Sequence, residues 1–176
     1  MNLALVGYRG TGKTEVSRLA ATRLGRRLAG MDAMLVERFR KPIPEFVSEH
    51  GWEAFRDAES DLASELSRLD GLVIDCGGGV VVRERNIEIL RSNGRIVWLA
   101  ASVETIAKRI GGDTQRPSLT GAKTFIEEIE EVLDQRLPLY TRAADFRVET
   151  DTLSVEQVVQ RVLDWWEATT QSRPGA

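Results

Sequence analysis

The strongest constraint on the fold is a glycine-rich loop that directly follows a short apolar run near the N-terminus. Residues 7–14 read GYRGTGKT, behind the apolar residues 3–6. The spacing G-x-x-x-x-G-K-[ST] is typical of phosphate-binding loops, which lie between a buried strand and a helix. Glycines let backbone N–H groups approach phosphate oxygens there, and the helix adds the positive end of its dipole. The motif therefore predicts a strand–loop–helix unit that binds nucleotide phosphates.

Side chains of this loop have separate predicted roles in nucleotide binding. Lys13 supplies a mobile cation to the β- and γ-phosphates, and the Thr14 hydroxyl is a candidate Mg²⁺ ligand. An exposed lysine in a glycine-rich turn is the alternative, but it leaves the strand before the loop and the helical stretch after it unexplained. The nucleotide-binding residues expected in this segment are Gly10, Thr11, Gly12, Lys13, Thr14 and Glu15.

Strand-like and helix-like segments alternate along the 176 residues. Continuously apolar stretches at 3–6, 72–74 and 96–99 predict buried parallel strands. A weak strand at 27–31 and a last strand at 146–149 complete a set of five. Helical periodicity separates them. Such alternation predicts a three-layer α/β/α fold with a central five-stranded parallel sheet, which binds ligands at the carboxyl ends of its strands.

Several boundaries follow from local signals. Asp32 is expected to be the N-cap of a helix over 33–40, and a charged helix over 124–137 is expected to end before Pro138. Residues 1–170 are expected to form a single domain, and residues 171–176 a disordered tail.

Composition narrows the classes of function. The net charge is −3 with both signs mixed along the chain, so we expect no nucleic-acid partner. No apolar run is long enough to span a bilayer, so we expect no membrane partner. One cysteine excludes an internal disulfide and fits a reducing compartment. The first strand begins almost at residue 1, which leaves no room for a targeting segment. These features predict a cytoplasmic protein, which we expect to be a monomer.

Other motifs lie at the carboxyl ends of predicted strands or in polar segments. Three glycines, residues 77–79, follow a strand, which indicates close backbone approach to a ligand or else a flexible turn. Arg56 lies on a long helix near acidic residues, where a solvated ion pair is the alternative to ligand contact. Arg116 and Arg136 each precede a proline-containing segment. Together the three arginines offer guanidinium forks suited to carboxylate and phosphate oxygens.

The order and spacing of these pieces resemble the shikimate kinases, within the nucleoside-monophosphate-kinase-like group of P-loop kinases, over about residues 3–162. The resemblance is carried by the phosphate loop and by residues 55–59, 77–79, 116–119 and 136–140. It implies that ATP and shikimate are the small-molecule partners and that the ATP γ-phosphoryl group passes to the 3-hydroxyl of shikimate. It also implies Mg²⁺ as the cofactor and a mobile lid over about 111–124.

The resemblance also implies roles for individual residues. Asp32 accepts a hydrogen bond from the reacting hydroxyl, as orienter or base, and joins Lys13 and Arg116 as a catalytic residue. Arg116 lies in the lid and reaches the transferring phosphate, and Arg109 packs near the adenine, so both also bind nucleotide. The implied substrate-binding set is Asp32, Arg56, Gly77, Gly78, Gly79 and Arg136.

One departure from the family pattern concerns the metal. The family usually carries Asp-x-Asp after the second strand, and this chain reads Gly30-Met31-Asp32. Asp75, at the end of a central strand, is a candidate to supply the missing metal-side carboxylate together with Thr14, or else to cap nearby amides. The alternatives are a kinase with another acceptor, such as gluconate or a nucleoside monophosphate, a catalytically weakened homologue, and a non-enzymatic nucleotide-binding protein.

Overall fold

The computed structural model describes residues 1–111 and 125–171. Within these ranges the strands are β1 (Asn2–Val6), β2 (Arg27–Gly30), β3 (Leu72–Asp75), β4 (Gly94–Ala100) and β5 (Phe146–Glu149). The helices are α1 (Lys13–Leu24), α2 (Met31–Phe39), α3 (Ile43–Ser67), α4 (Glu84–Ser92), α5 (Val103–Ile110), α6 (Phe125–Ala143) and α7 (Val155–Gln171). A short 3-10 turn spans Val80–Val82.

The five strands form one parallel sheet in the order β2-β3-β1-β4-β5. β1 lies at its centre, between β3 and β4, so the loop that follows β1 opens at the middle of the carboxyl edge. The register places Leu5 of β1 and Gly30 of β2 on either side of Asp75. The predicted five-stranded parallel sheet is therefore confirmed.

Helices cover both faces of the sheet because the side chains of a strand alternate between the two faces. Leu3 and Leu5 of β1 pack with α1 and α7, in a core that includes Val16 and Val162. Ala4 and Val6 belong to the core on the opposite face, with α2, α3 and α4. This packing confirms the three-layer α/β/α fold.

Two helix boundaries differ from the sequence-based expectation. α2 begins at Met31 with Gly30 as its N-cap, so Asp32 lies in the first turn and is not the cap. α6 continues through Pro138 to Ala143. A proline inside a helix costs a hydrogen bond and crowds the preceding turn. Burial of Tyr140 and Ala143 in the sheet-facing core offsets that cost here.

The long helix α3 is broken in one place. Gly51 has φ 82° and ψ 165°, outside the helical region, so the helix changes direction there. A left-handed φ of this kind is accessible to glycine at little cost. The break separates the segment that begins at Ile43 from the one that carries Phe55 and Arg56, and both segments face the same cavity.

Some expectations fall where the structure gives no description. Arg116 and all but the first residue of the expected lid, 111–124, lie outside the described residues, as do residues 172–176 of the expected tail. Across the part of the chain that is described, none of the helices combines the length and apolar composition needed to cross a membrane.

Candidate active site

The phosphate loop occupies residues 7–12, between the end of β1 and the first turn of α1. Gly10 and Gly12 have φ values of 80° and 88°, in the left-handed region that favours glycine. The Lys13 ammonium donates a hydrogen bond to the Tyr8 carbonyl oxygen over 3.1 Å, which folds the lysine back across the loop. Its nitrogen is thereby held beside the N-terminus of α1, where phosphate oxygens are favoured.

A cavity of about 790 Å³ opens above this loop. Most of the predicted nucleotide-binding residues of the loop line this cavity, but Thr11 does not, because its side chain turns inward. Thr11 is 2% exposed, and its hydroxyl donates to the Tyr8 carbonyl oxygen over 2.8 Å. The described residues of the predicted nucleotide-binding set that line the cavity are Gly10, Gly12, Lys13, Thr14, Glu15 and Arg109.

Arg109 of α5 joins the phosphate loop to the segment after β5. Its guanidinium donates to the Gly10 carbonyl oxygen over 3.2 Å and to the Thr150 carbonyl oxygen over 2.7 Å. This arginine therefore braces the loop as well as lining the nucleotide cavity. Glu15, in contrast, lies at the exposed rim of the cavity and pairs with Arg18 one turn further along α1.

A second cavity of about 680 Å³ adjoins the first. α2, α3, α6 and the glycine segment after β3 supply its polar groups, and Trp52, Phe55 and Val36 are among its apolar walls. The structure brings together every residue of the predicted acceptor site on this cavity, namely Asp32, Arg56, Gly77, Gly78, Gly79 and Arg136.

Arg56 forms a buried ion pair in this second cavity. Its Nη1 lies 2.7 Å from Oε2 of Glu59, one turn further along α3, and the two side chains are 11% and 1% exposed. Burial raises the pKa of Glu59, and the charge of Arg56 opposes that rise. The solvated ion pair considered for Arg56 is therefore not what the structure shows. The sequence placed Glu59 only as an acidic neighbour of Arg56 with no role in the site, although its spacing from that arginine also fits a pair on one helix face.

The carbonyl oxygen of Gly78 is an anchor for α6. Arg136 donates to it over 3.2 Å and the Tyr140 hydroxyl over 2.5 Å. Burial raises the pKa of Tyr140 to about 12, so the phenol stays protonated and able to donate. The two bonds fix the Arg136 guanidinium at the wall of the cavity. The hydroxyl of Tyr140 had no assigned role in the sequence analysis.

Close packing of charged side chains explains the glycines at positions 77 and 79. A Cβ atom at position 77 would lie 2.7 Å from Oδ1 of Asp32 and 2.9 Å from Oε1 of Glu59. At position 79 it would collide with the guanidinium of Arg56. Positions 77 and 79 are glycine because the side chains of Asp32, Glu59 and Arg56 occupy that space, which a flexible turn does not explain.

We expect Gly79→Ala to weaken acceptor binding through Arg56, because the added methyl group must push the guanidinium away from its present position. Loss of a charged hydrogen bond costs about 1.5–3 kcal/mol, so the acceptor KM should rise by roughly 10- to 100-fold. Arg56→Ala, which removes the guanidinium itself, should raise the acceptor KM by a similar factor. Steady-state kinetics with each substrate varied in turn measures both constants.

The matched control is Gly30→Ala, where φ is −89° and the nearest atom to an added Cβ is that of Ala33 at 3.9 Å. That substitution should leave the acceptor KM unchanged. Equal rises in the acceptor KM and the ATP KM for Gly79→Ala would contradict the assignment of Arg56 to the acceptor.

Thr14 and Asp75 meet at the floor of the nucleotide cavity. The Thr14 hydroxyl donates to Oδ2 of Asp75 over 2.7 Å. Burial raises the pKa of Asp75, and the hydrogen bond from Thr14 opposes that rise. Gly30 on β2 is the register partner of Asp75 on β3. Position 30, where the family usually carries an aspartate, therefore lies directly beside the carboxylate of Asp75.

This pair fits a Mg²⁺ site of the kind that keeps most of its waters. Mg²⁺ prefers oxygen ligands and is often held by one or two protein groups and substrate phosphates. Among residues 1–111 and 125–171, no group of three or more histidine, cysteine, aspartate or glutamate side chains forms a metal cluster. A hydroxyl and a carboxylate beside a phosphate loop suit Mg²⁺ bound together with a nucleotide.

The two cavities meet at a shared boundary, lined by Arg9, Asp32, Ala33 and Gly78. Asp32 is the carboxylate that faces both sides. A group transferred from a nucleotide to a second small molecule has to cross this boundary. A phosphate loop on one side and arginines on the other, within this fold, define a P-loop kinase that acts on a small anionic acceptor.

Comparison with known proteins gives the particular family. A family model described as shikimate kinase matches residues 9–167, and the chain belongs to the shikimate kinase family. A shikimate kinase of Leptospira biflexa serovar Patoc is 36% identical over 176 residues, which cover 94% of this chain and 95% of the relative. The resemblance of the sequence motifs to this family is therefore confirmed, and the chain is an ATP-dependent kinase.

Solved structures agree with the family assignment. Shikimate kinase from Acinetobacter baumannii, in complex with shikimate, has a TM-score of 0.89 and 30% identity, over 96% of this chain and 93% of that one. A gluconokinase from Sinorhizobium meliloti has a TM-score of 0.59 at 14% identity, over 98% and 97% of the two chains. The second likeness shows a common fold alone.

Proposed function

We propose that this protein transfers the γ-phosphoryl group of ATP to the 3-hydroxyl of shikimate, giving shikimate 3-phosphate. The observation that carries the proposal is the meeting of two cavities at Asp32. The phosphate loop lines one cavity, and Arg56 and Arg136 line the other. Shikimate is a small carboxylate with ring hydroxyls, and guanidinium groups suit its carboxylate.

Acceptor binding depends on the two fixed arginines. Glu59 holds Arg56, and the Gly78 carbonyl holds Arg136, so both guanidinium groups are positioned before the acceptor arrives. We assign the acceptor carboxylate to these two arginines and the ring hydroxyls to the polar groups around Gly78. Preorganised donors of this kind lose little entropy on binding.

The transfer itself needs positioning and charge neutralisation. The acceptor hydroxyl oxygen forms a bond to the γ-phosphorus while the bond to the β–γ bridging oxygen breaks, and ADP leaves with that electron pair. The hydroxyl proton passes to the Asp32 carboxylate. Lys13 stabilises negative charge on the phosphoryl oxygens, as cations do in such loose transition states. We assign the same stabilising role to Arg116.

We further propose that Thr14 and Asp75 are the protein groups that hold Mg²⁺. Asp75 supplies the carboxylate that position 30, a glycine here, does not. The proximity of the Thr14 hydroxyl to Asp75 and the register of Asp75 with Gly30 support this assignment. When bound, Mg²⁺ would neutralise charge on the phosphate oxygens and orient them. The residues nearest to it, Thr14 and Asp75, would orient its ligands and waters.

Asp75→Asn is expected to weaken Mg²⁺-dependent nucleotide binding by roughly 10- to 100-fold, because outer carboxylates of metal sites typically contribute that much. Calorimetric titration of ADP at increasing Mg²⁺ concentrations measures the effect without relying on turnover. Gly30→Asp in the Asp75→Asn background should restore part of the affinity, because position 30 is the register partner of position 75.

An Asp75→Asn variant that only melts at a lower temperature, with the Mg²⁺ dependence of ADP binding unchanged, would instead make Asp75 a cap for nearby amides. The loss at Gly30 would then be uncompensated. In that case a catalytically weakened homologue is the second candidate function, and it predicts slow turnover with shikimate as the acceptor.

A coupled assay of ADP release against a panel of acceptors tests the proposed reaction. Shikimate should stimulate ADP release far above the rate with ATP alone. Gluconate and nucleoside monophosphates should not, because neither supplies a ring of the shikimate shape for the Arg56 and Arg136 side of the cavity. Stimulation by gluconate or by a nucleoside monophosphate in place of shikimate would overturn the acceptor assignment.

We also propose that the protein works as a monomer in the cytoplasm, without nucleic-acid or membrane partners. The support for this is compositional. The net charge of −3 comes from interspersed charges, and Cys76 is free and buried, as suits a reducing compartment. Light scattering of the purified protein measures the oligomeric state.

A further inference from the structure

The boundary between the two cavities carries a cation that the proposed reaction has not used. Arg9 lines both cavities, as Asp32 does. It occupies a variable position of the phosphate-loop motif, and the motif alone gives it no role. The acceptor oxygen and the phosphoryl group it receives have to meet at this boundary, so Arg9 lies beside the position of the transferred group.

The side chain of Arg9 is held by surrounding groups. Its Nη2 lies 3.6 Å from Oε1 of Glu128 on α6, and the two side chains are 17% and 2% exposed. The guanidinium carbon lies 5.7 Å from the centre of the Tyr8 ring. The main chain of Arg9 lies next to Gly78 of the acceptor cavity. Glu128 and the Tyr8 ring thus hold the Arg9 side chain where the phosphate loop meets the glycine segment.

Stability alone does not explain a charged pair at this depth. Taking two charges out of water costs about as much as their attraction returns, and apolar replacements of such pairs are often neutral or stabilising. A guanidinium can also meet two anions at once, because its N–H donors spread in a planar fork. Because Arg9 lines both cavities, its fork can meet a phosphate group at their boundary as well as Glu128.

We infer that Arg9 binds the oxygens of the transferred phosphoryl group from the acceptor side and that Glu128 positions it. This inference rests on the proposed function. It assigns Arg9 to the phosphate of the phosphorylated product and leaves the acceptor carboxylate to Arg56 and Arg136. The competing explanation is that the pair only ties the phosphate loop to α6.

The test compares the binding of shikimate with that of shikimate 3-phosphate, by calorimetry without nucleotide. The two ligands differ by the group that Arg9 is inferred to contact. Arg9→Met should weaken shikimate 3-phosphate about tenfold or more, the usual loss for a charged hydrogen bond, and leave shikimate within about twofold. Arg9→Lys should recover part of the loss, and Glu128→Gln should show a smaller loss of the same kind.

Two further variants calibrate the comparison. Arg136→Met should weaken both ligands alike, because it is assigned to the carboxylate that they share. Arg38→Met should weaken neither, because Arg38 pairs with Glu65 at the surface and lines neither cavity. Thermal unfolding of each variant shows whether the fold is retained.

The outcomes separate the inference from the function on which it rests. If the wild-type protein binds neither ligand, the proposed function fails, and the inference fails with it. Suppose that the wild type binds both ligands, and that Arg9→Met weakens the binding of both equally or leaves both unchanged. Arg9 then only links the loop to α6, and the inference alone is overturned. A selective loss for shikimate 3-phosphate supports both.

Discussion

Replacing Lys13 by methionine is expected to lower kcat by at least ~10²-fold while the protein stays folded. The methionine keeps an unbranched apolar stem but cannot supply charge to the β- and γ-phosphates. Removal of one group that stabilises developing charge costs about 3 kcal/mol or more, which corresponds to this factor. Steady-state kinetics measures the loss, and circular dichroism with thermal unfolding checks the fold.

Lys41→Met is the matched control for this substitution. Lys41 pairs with Glu49 at the surface and lines neither cavity, so its replacement should leave kcat unchanged. If Lys13→Met retains more than a few per cent of the wild-type kcat, the phosphate loop does not stabilise the transferred group in the way we propose.

Asp32→Asn is expected to lower kcat by roughly 10²- to 10⁴-fold, the usual contribution of a positioned general base. The carboxylate faces the boundary between the cavities, where the acceptor hydroxyl has to lose its proton. An amide of nearly the same shape cannot accept that proton. ATP binding, measured by calorimetry, should change little, because Lys13 and the loop remain in place.

The control for Asp32→Asn is Asp57→Asn on α3. Asp57 is exposed and pairs with Arg83 away from both cavities, so its loss should not affect kcat. A fall of less than about tenfold for Asp32→Asn would show that the carboxylate orients the acceptor without accepting its proton. An equal loss in ATP affinity would place Asp32 on the nucleotide side.

Local patterns in the sequence were sufficient to predict the sheet and the phosphate loop. The apolar stretches at 72–74 and 96–99 are buried strands because parallel sheets covered on both faces leave no position for polar side chains. The loop motif predicts its own context, a strand before it and a helix after it. The structure has β1 and α1 in these places.

The error at Pro138 and the role left open for Arg9 both involve contacts between distant segments. α6 passes Pro138 because Tyr140 reaches the Gly78 carbonyl oxygen and the core, and no local signal reports that contact. The pairing of Arg9 with Glu128 joins residues far apart in the chain, so the motif alone could not reveal it. Glu59 was given no role in the site for a different reason, because an acidic residue near an arginine on a helix usually forms a solvated pair.

The alignment of Gly30 with Asp75 across neighbouring strands has a consequence for how family membership is recognised. Two positions that lie far apart in the sequence are direct neighbours in the folded sheet. A search that demands an aspartate at the first of these positions would discard this chain as degenerate, although an acid stands beside the vacated position. The catalytic residues of distant relatives are therefore better identified by their location in the sheet than by their place in a sequence motif. Chains with a glycine at one position and an acid at the other should form a recognisable subgroup.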